Sequence, residues 1–272
     1  RVAPIPLLLA WQRPDASVNW RTEPGGKAAK RRERKVTVGI NCDMGEAYGI
    51  YTCGDDAGIM PYISQANVAC GFHASDPSVM RATVRLAKEH GVAVGAHPSY
   101  PDRQGFGRRA MKMEPDELLD CLVYQVGALK GFLDAEGMEL SHVKPHGALN
   151  GVAWEDEDSC RAIGLCAQTF GVPVMGMSGT GHEKVYGELG VPIIFETYVD
   201  LDYNDAGQVI ITRAHAPVTP EDAVAQACRA ARDGQIKSVS GKLVPVKCKS
   251  ICVHSDTPGA VDVAKAIHAE LS

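Results

Sequence analysis

No stretch of this sequence approaches the roughly 18 apolar residues that a helix needs to cross a bilayer. Even residues 191–195 contain proline and follow a glycine. The chain therefore reads as non-membrane. A disulfide framework is also missing, because the nine cysteines are odd in number and scattered. Cys70, Cys121, Cys166 and Cys252 fall in apolar runs that read as buried, as reduced thiols of a cytoplasmic protein do. There is no GxxxxGK[ST] phosphate loop, no HExxH metal run and no internal repeat.

What is present is ordinary globular composition, with 45% hydrophobic and 22% charged residues in 272. That length suits a single α/β barrel. Residues 1–35 stand apart, with nine Lys or Arg against Asp15, Glu23 and Glu33, a surplus of six; the formal total of −5 then leaves about −11 on the rest. Prolines interrupt this segment and it has no helical periodicity, so it reads as a disordered basic arm. It suits an inert extension, a mitochondrial-type targeting segment or a nucleic-acid patch. The acidic body argues against nucleic acid as a partner.

From residue 36 to 272 β-type and helix-type runs alternate, the pattern of βα units around a parallel sheet within a single domain. Strands are expected at residues 36–41, 65–70, 92–96, 142–143, 172–177, 191–196 and 250–253, with helices at 77–89, 115–136, 156–169, 220–233 and 258–271. Asp76 ahead of Pro77, with Gly91 beyond, brackets the first of these helices. Seven strands suit a barrel.

Nearly every expected strand ends in a polar cluster. Asn41, Asp43 and Glu46 follow the first; Asn67 and His73 belong to the second, and His97 follows the third. Lys144 and His146 follow the fourth, Ser178 and Thr180 the fifth, Glu196 and Asp200 the sixth, and His254, Asp256 and Thr257 the last. In a closed parallel barrel these loops open on one face. A single loop histidine is more often a cap or surface group than a ligand, but four such histidines together point to a site. Asp43 and Glu46 also have a structural reading, as the N-cap and capping-box partner of a short helix. The Gly105-Phe106-Gly107-Arg108-Arg109 loop would clamp an anion or act as a mobile lid, and Ser178 to Gly181 offers a second anion cradle. Two chemistries stay open: a divalent metal held by imidazole and carboxylate, or metal-free acid and base work with Lys144, Arg108 and Arg109 holding anions.

The chain resembles the LamB/YcsF family, the A subunits of 5-oxoprolinase. Six motifs carry the resemblance: Asn41-Cys42-Asp43-Met44-Gly45-Glu46, residues 66–74 from Ala66-Asn67 to His73-Ala74, Gly95-Ala96-His97-Pro98, Gly105 to Arg109, Val143-Lys144-Pro145-His146-Gly147-Ala148-Leu149, and residues 251–259 around His254 and Asp256. They run from about residue 36 to 271. The resemblance implies a distorted, seven-stranded β/α barrel of the glycoside hydrolase and deacetylase type. It also implies ATP-dependent opening of 5-oxoproline to glutamate together with the B- and C-type partner subunits of 5-oxoprolinase, and in fungal relatives use of lactams such as 2-pyrrolidinone.

On that basis Asp43, Glu46, His73, His146 and Lys144 are expected to be catalytic. Asn41, Asn67, Arg108, Arg109 and Ser178 are expected to bind substrate or phosphate, and His97, His254 and Asp256 any divalent metal. ATP with Mg²⁺ is the expected co-substrate, and a homo-oligomer is compatible with the pattern. The chain also departs from the family. Bacterial members read Phe-Ala-Asp-Arg where this chain has Tyr198-Val199-Asp200-Leu201, and Asn150, Ser99 and Ser255 replace tyrosine, glycine and glycine. The lost arginine would remove a contact to the substrate carboxylate, which points toward a neutral lactam. Two other readings are an ATP-independent, metal-dependent amidase or deacetylase, and a non-catalytic subunit that binds a lactam or sugar.

Overall fold

The computed structural model describes residues 38–210 and 217–271. The basic arm expected over residues 1–35 lies outside them. Strands β1 (Gly39–Met44), β2 (Gln65–Ala69), β3 (Ala93–His97), β4 (Leu140–Val143), β5 (Val174–Gly176) and β6 (Ile193–Tyr198) each pair in parallel with the next. After β7 (Gln235–Lys237) and β8 (Leu243–Pro245), which form a small antiparallel hairpin, β9 (Ser250–His254) pairs with both β6 and β1 and closes a seven-stranded barrel. The seven-stranded expectation holds, and the hairpin is additional.

Helices wrap this ring. Helices α1 (Asp56–Ile59), α2 (Pro77–His90), α3 (Pro115–Glu136), α4 (Gly147–Val152), α5 (Glu157–Phe170), α6 (Gly181–Leu189), α7 (Pro220–Cys228) and α8 (Ala260–Leu271) lie in the connections and after the last strand. Their ends follow local chemistry. The Asp76 carboxylate accepts the Ser78 and Val79 N–H groups, Pro77 opens α2, and Gly91 ends it at φ 67°, where a Cβ would be strained. Helix α3 turns Leu118, Leu122, Val126, Leu129 and Leu133 inward, all at most 2% exposed. None of the helices among the described residues is long and apolar enough to cross a membrane. All nine cysteines are free thiols, with Cys70, Cys166 and Cys252 buried and Cys121 partly so.

The strands have two unlike faces. Cys42, Met44, Ala66, Val68, Val94, Ala96 and Val143 belong to the apolar core between ring and helices. The alternate residues bond one another across the lumen. The first strand begins three residues later than expected and continues to Met44, so Asp43 is a strand residue. This corrects the capping-box reading, because a residue inside a ladder pairing with Asn67 and His254 cannot start a helix. The last helix starts at Ala260 instead of Pro258.

Candidate functional site

The polar lumen is one connected network. Asn67 Nδ2 donates to Asn41 Oδ1 and to Asp43 Oδ1, each at 2.8 Å, and Asn41 Nδ2 donates to Ser250 Oγ at 2.8 Å. His142, from β4, reaches Asn67 Oδ1 through Nε2 at 2.7 Å and Ser141 Oγ through Nδ1 at 2.5 Å. Its ring fits because residue 95 is glycine, where a Cβ would sit 2.1 Å from His142 Nε2.

Lys144 enters this network from the end of β4. Its Nζ lies 3.0 Å from Asp43 Oδ1, 3.2 Å from Glu196 Oε2, 3.1 Å from Asn41 Oδ1 and 3.0 Å from Cys252 Sγ. Burial opposes the charge on Lys144, but Asp43, the Cys252 sulfur and Glu196 outweigh it and hold its pKa well above the usual lysine value. Burial likewise opposes the Asp43 charge, yet His97 and Lys144 keep that carboxyl well below the usual range. The two are a buried ion pair, in which each charge would be costly alone.

Histidines crowd the other side of Asp43. His97 Nε2 is 3.2 Å and His254 Nε2 3.6 Å from Asp43 Oδ2. His254 Nδ1 and its backbone N–H both meet the Asp200 carboxylate, at 2.9 and 2.7 Å. Burial disfavours charge on His254, but Asp200 reverses this and raises its pKa well above the usual value.

Glu46 Oε1 lies 3.1 Å from His73 Nε2 and 3.4 Å from His146 Nδ1. Burial, with the Asp43 and Asp256 charges, pushes the Glu46 carboxyl well above the usual range. The rings of His73 and His146 stack at 3.9 Å and 9°. Glu46, His73, His97 and His146 each offer a donor atom within 4.8 Å of the others, so this group has the composition and closeness to hold a metal ion.

The Gly-Arg loop turns out to position a histidine. Phe106 adopts φ 55°, costly for a residue with a Cβ, and its carbonyl accepts from His146 Nε2 at 2.8 Å. Gly107 follows at φ 64°, where a Cβ would press on Ser99 Oγ and the His146 ring. Asp102 pins the loop by accepting the Gly105 N–H and clamping the Arg109 guanidinium.

A small cavity, open to solvent, lies over this network. Asp43, His97, Arg108, Lys144, His146 and His254 line its polar side; Pro145, Trp154, Tyr198, Leu201 and Val209 line the rest, with Asn150 between. Of the residues singled out from the sequence, Asn41, Asp43, Glu46, Asn67, His73, His97, Lys144, His146 and His254 thus fall into one bonded cluster. Arg108 lines the cavity and holds Asp256 Oδ2 at 2.9 Å. Arg109 is held by Asp102, and Ser178 Oγ accepts the Lys247 N–H at 2.9 Å; neither lines the cavity.

His142 and Trp154 carried no functional reading in the sequence, and Phe106 and Cys252 entered it only as members of longer motifs. Two groups at the cavity edge have open valences: Asn150 Oδ1 and Trp154 Nε1 are buried without a hydrogen-bond partner among the described residues. Asn150 Nδ2 donates to Tyr198 Oη at 3.2 Å, which donates to Glu196 Oε1 at 2.8 Å. That chain fixes the amide so that its oxygen is the free end.

Two buried histidines set a pH limit on the fold. Burial holds His142 at about 3 and His182 at about 4, below the usual 6.5. The unfolded chain takes up these protons below 6.5 while the folded one does not. The stabilisation is therefore complete above pH 6.5 and is lost as pH falls toward those values, by about 1.4 kcal/mol per unit for each ring. Urea unfolding at pH 7 and pH 5 should show this loss. His142→Gln, which cannot titrate, should reduce the difference by about 2 kcal/mol; an unchanged difference would contradict the assignment.

Comparison with known proteins gives the same outline. The family model described as the LamB/YcsF family matches residues 38–272. The chain is 48% identical over 230 residues to the lactam utilization protein lamB of Emericella nidulans, covering 83% of this chain and 90% of that protein. It is 44% identical over 243 residues to the A subunit of 5-oxoprolinase from Chloroflexus aurantiacus, covering 87% and 95%. The crystal structure of a lactam utilization protein from Thermus thermophilus superposes with a TM-score of 0.81 at 40% identity, covering 86% of this chain and 96% of that one.

Proposed function

Because the chain belongs to the LamB/YcsF family, we propose that its barrel mouth opens a small cyclic amide by ATP-dependent hydrolysis, working with partners like the B and C subunits of 5-oxoprolinase. The observation that carries this reading is the Asp43–Lys144 ion pair at a cavity also lined by Asn150 and Trp154, whose buried Oδ1 and Nε1 have no hydrogen-bond partner among the described residues and become accessible to a ligand by a side-chain turn. A lactam has one N–H and one carbonyl. Asn150 Oδ1 accepts the ring N–H and Trp154 Nε1 donates to the carbonyl or to its activated form.

An unstrained lactam is a resonance-stabilised amide, so water attacks it slowly and opening is close to balanced. ATP supplies both activation of the amide oxygen and the driving force. Within this chain the Lys144 ammonium stabilises negative charge gathering on that oxygen, where low polarity strengthens its effect. Asp43, ionised beside it, takes the proton of the attacking water and returns it to the ring nitrogen as the C–N bond breaks, while the activating phosphoryl group leaves as phosphate. Arg108, at the cavity wall, faces incoming anionic groups.

The far wall favours a neutral ring. Leu201, where the family resemblance implies an arginine in bacterial members, lines the cavity together with the apolar surfaces of Val209 and Trp154. Leu201, Val209 and Trp154 carry no charge of opposite sign to a substrate carboxylate, so burying one against them costs its hydration. Turnover of 2-pyrrolidinone is therefore expected to exceed that of 5-oxoproline when both are offered with ATP and partner subunits; clear preference for the acid would reject the neutral-lactam assignment. The binding groups have their own signature. Asn150→Leu and Trp154→Phe should each raise KM about 5–10-fold, the loss of one hydrogen bond, with kcat changed by less than about twofold. Unaltered KM in both would remove them from substrate recognition.

A further inference from the structure

Two imidazole nitrogens meet head-on in this site. His97 Nδ1 lies 2.8 Å from the Lys144 carbonyl and His146 Nε2 lies 2.8 Å from the Phe106 carbonyl, so both carry hydrogens and donate. That turns the inner nitrogens, His97 Nε2 and His146 Nδ1, toward each other 2.9 Å apart, a contact that holds only with a proton or a cation between them. Glu46 Oε1 is a third acceptor, 3.4 Å from His146 Nδ1. Asp43 Oδ2 flanks the group, 3.2 Å from His97 Nε2.

Electron pairs this close repel unless a proton or a cation lies among them. One proton satisfies two of the donors; a divalent ion satisfies all at once. The spacing is also that of a coordination shell, since a four-coordinate ion with bonds of about 2.0–2.1 Å sets its donors roughly 3.3 Å apart. Backbone carbonyls that hold the outer nitrogen of each ring are the usual support of metal-binding histidines.

We propose that Glu46, His97 and His146 bind a divalent first-row transition ion, Zn²⁺ or a close relative, with Asp43 beside its remaining position. Two imidazoles with carboxylate suit such ions better than Mg²⁺, which prefers oxygen. His73 is a positioning residue here. Its ring stacks flat on that of His146, so an ion in the plane of one ring lies outside the plane of the other, and its Nε2 holds Glu46 at 3.1 Å instead. The ion would give the site a water of lowered pKa next to Asp43. That use in ring opening rests on the function proposed above, whereas binding of the ion does not.

The test is calorimetric titration of the metal-stripped full chain with Zn²⁺, with Co²⁺ as a spectroscopic probe. One Zn²⁺ per chain is expected, and Co²⁺ should show the intense visible bands of a four-coordinate site. Glu46→Gln and His146→Gln should each weaken binding by at least about 1,000-fold, and His73→Gln by about 10–100-fold, the range for groups that orient a ligand. Absence of stoichiometric Zn²⁺ binding by the parent chain would overturn the proposal. So would undiminished binding in both ligand variants, with their fold verified by circular dichroism. Stoichiometric binding without lactam turnover in the presence of ATP and partners would uphold the metal site and reject the function.

Discussion

Replacing Lys144 by methionine is expected to lower lactam turnover by about 10³-fold or more and to destabilise the fold by about 3–5 kcal/mol. The two effects have separate origins. Lys144 is 1% exposed and lies within 3.2 Å of both Asp43 and Glu196. Removing it leaves two carboxylates facing one another in the lumen, which must either protonate or repel. Stability loss comes from that uncompensated charge, and activity loss from the missing cation beside the developing oxyanion. The double variant Lys144→Met, Glu196→Gln separates them, because it removes one of the stranded charges. Denaturant unfolding should recover a large part of the lost stability while turnover stays near that of the single variant. Recovery of both together would make Lys144 a purely structural residue.

Asp43→Asn should be milder for the fold and as severe for chemistry, again about 10³-fold in kcat. Asparagine keeps the shape and can still accept from Asn67 and Lys144, which retains Glu196 as counter-charge. What disappears is the anion that the site keeps ionised between Lys144 on one oxygen and His97 on the other. A variant that unfolds at the parent's denaturant concentration yet turns over lactam at the parent's rate would dismiss Asp43 as the base.

Much of this arrangement was legible in the primary structure because the barrel's loops share one end. Asn41, Asp43, His73, His97, Lys144, His146 and His254 stand out as the polar residues that come directly after apolar runs, and they are bonded to one another. The rule had a blind side. It searched beyond the strands, whereas much of the network lies within them, on alternate residues: Asn41 and Asp43, His142 and then Lys144, Glu196 and Tyr198, Ser250, Cys252 and His254. A two-residue period of polar groups inside apolar runs was the available signal, and it also would have placed Asp43 in β1. Phe106 was illegible for a different reason. Its role lies in a backbone carbonyl aimed by a left-handed φ, which side-chain chemistry does not announce. Asn150 and Trp154 sit on or after α4, a six-residue helix too short for periodicity to reveal, and β7 and β8, three residues each, fall below the same threshold.

The most direct test monitors 2-pyrrolidinone, ATP and the ring-opened amino acid in a reconstituted mixture of partner subunits, supplied either with the parent chain or with Asp43→Asn. Stoichiometric loss of lactam and ATP with the parent, falling about 10³-fold with the variant, is the predicted result. Equal product formation with both chains would mean that the bond is broken elsewhere in the assembly and that this barrel does no chemistry.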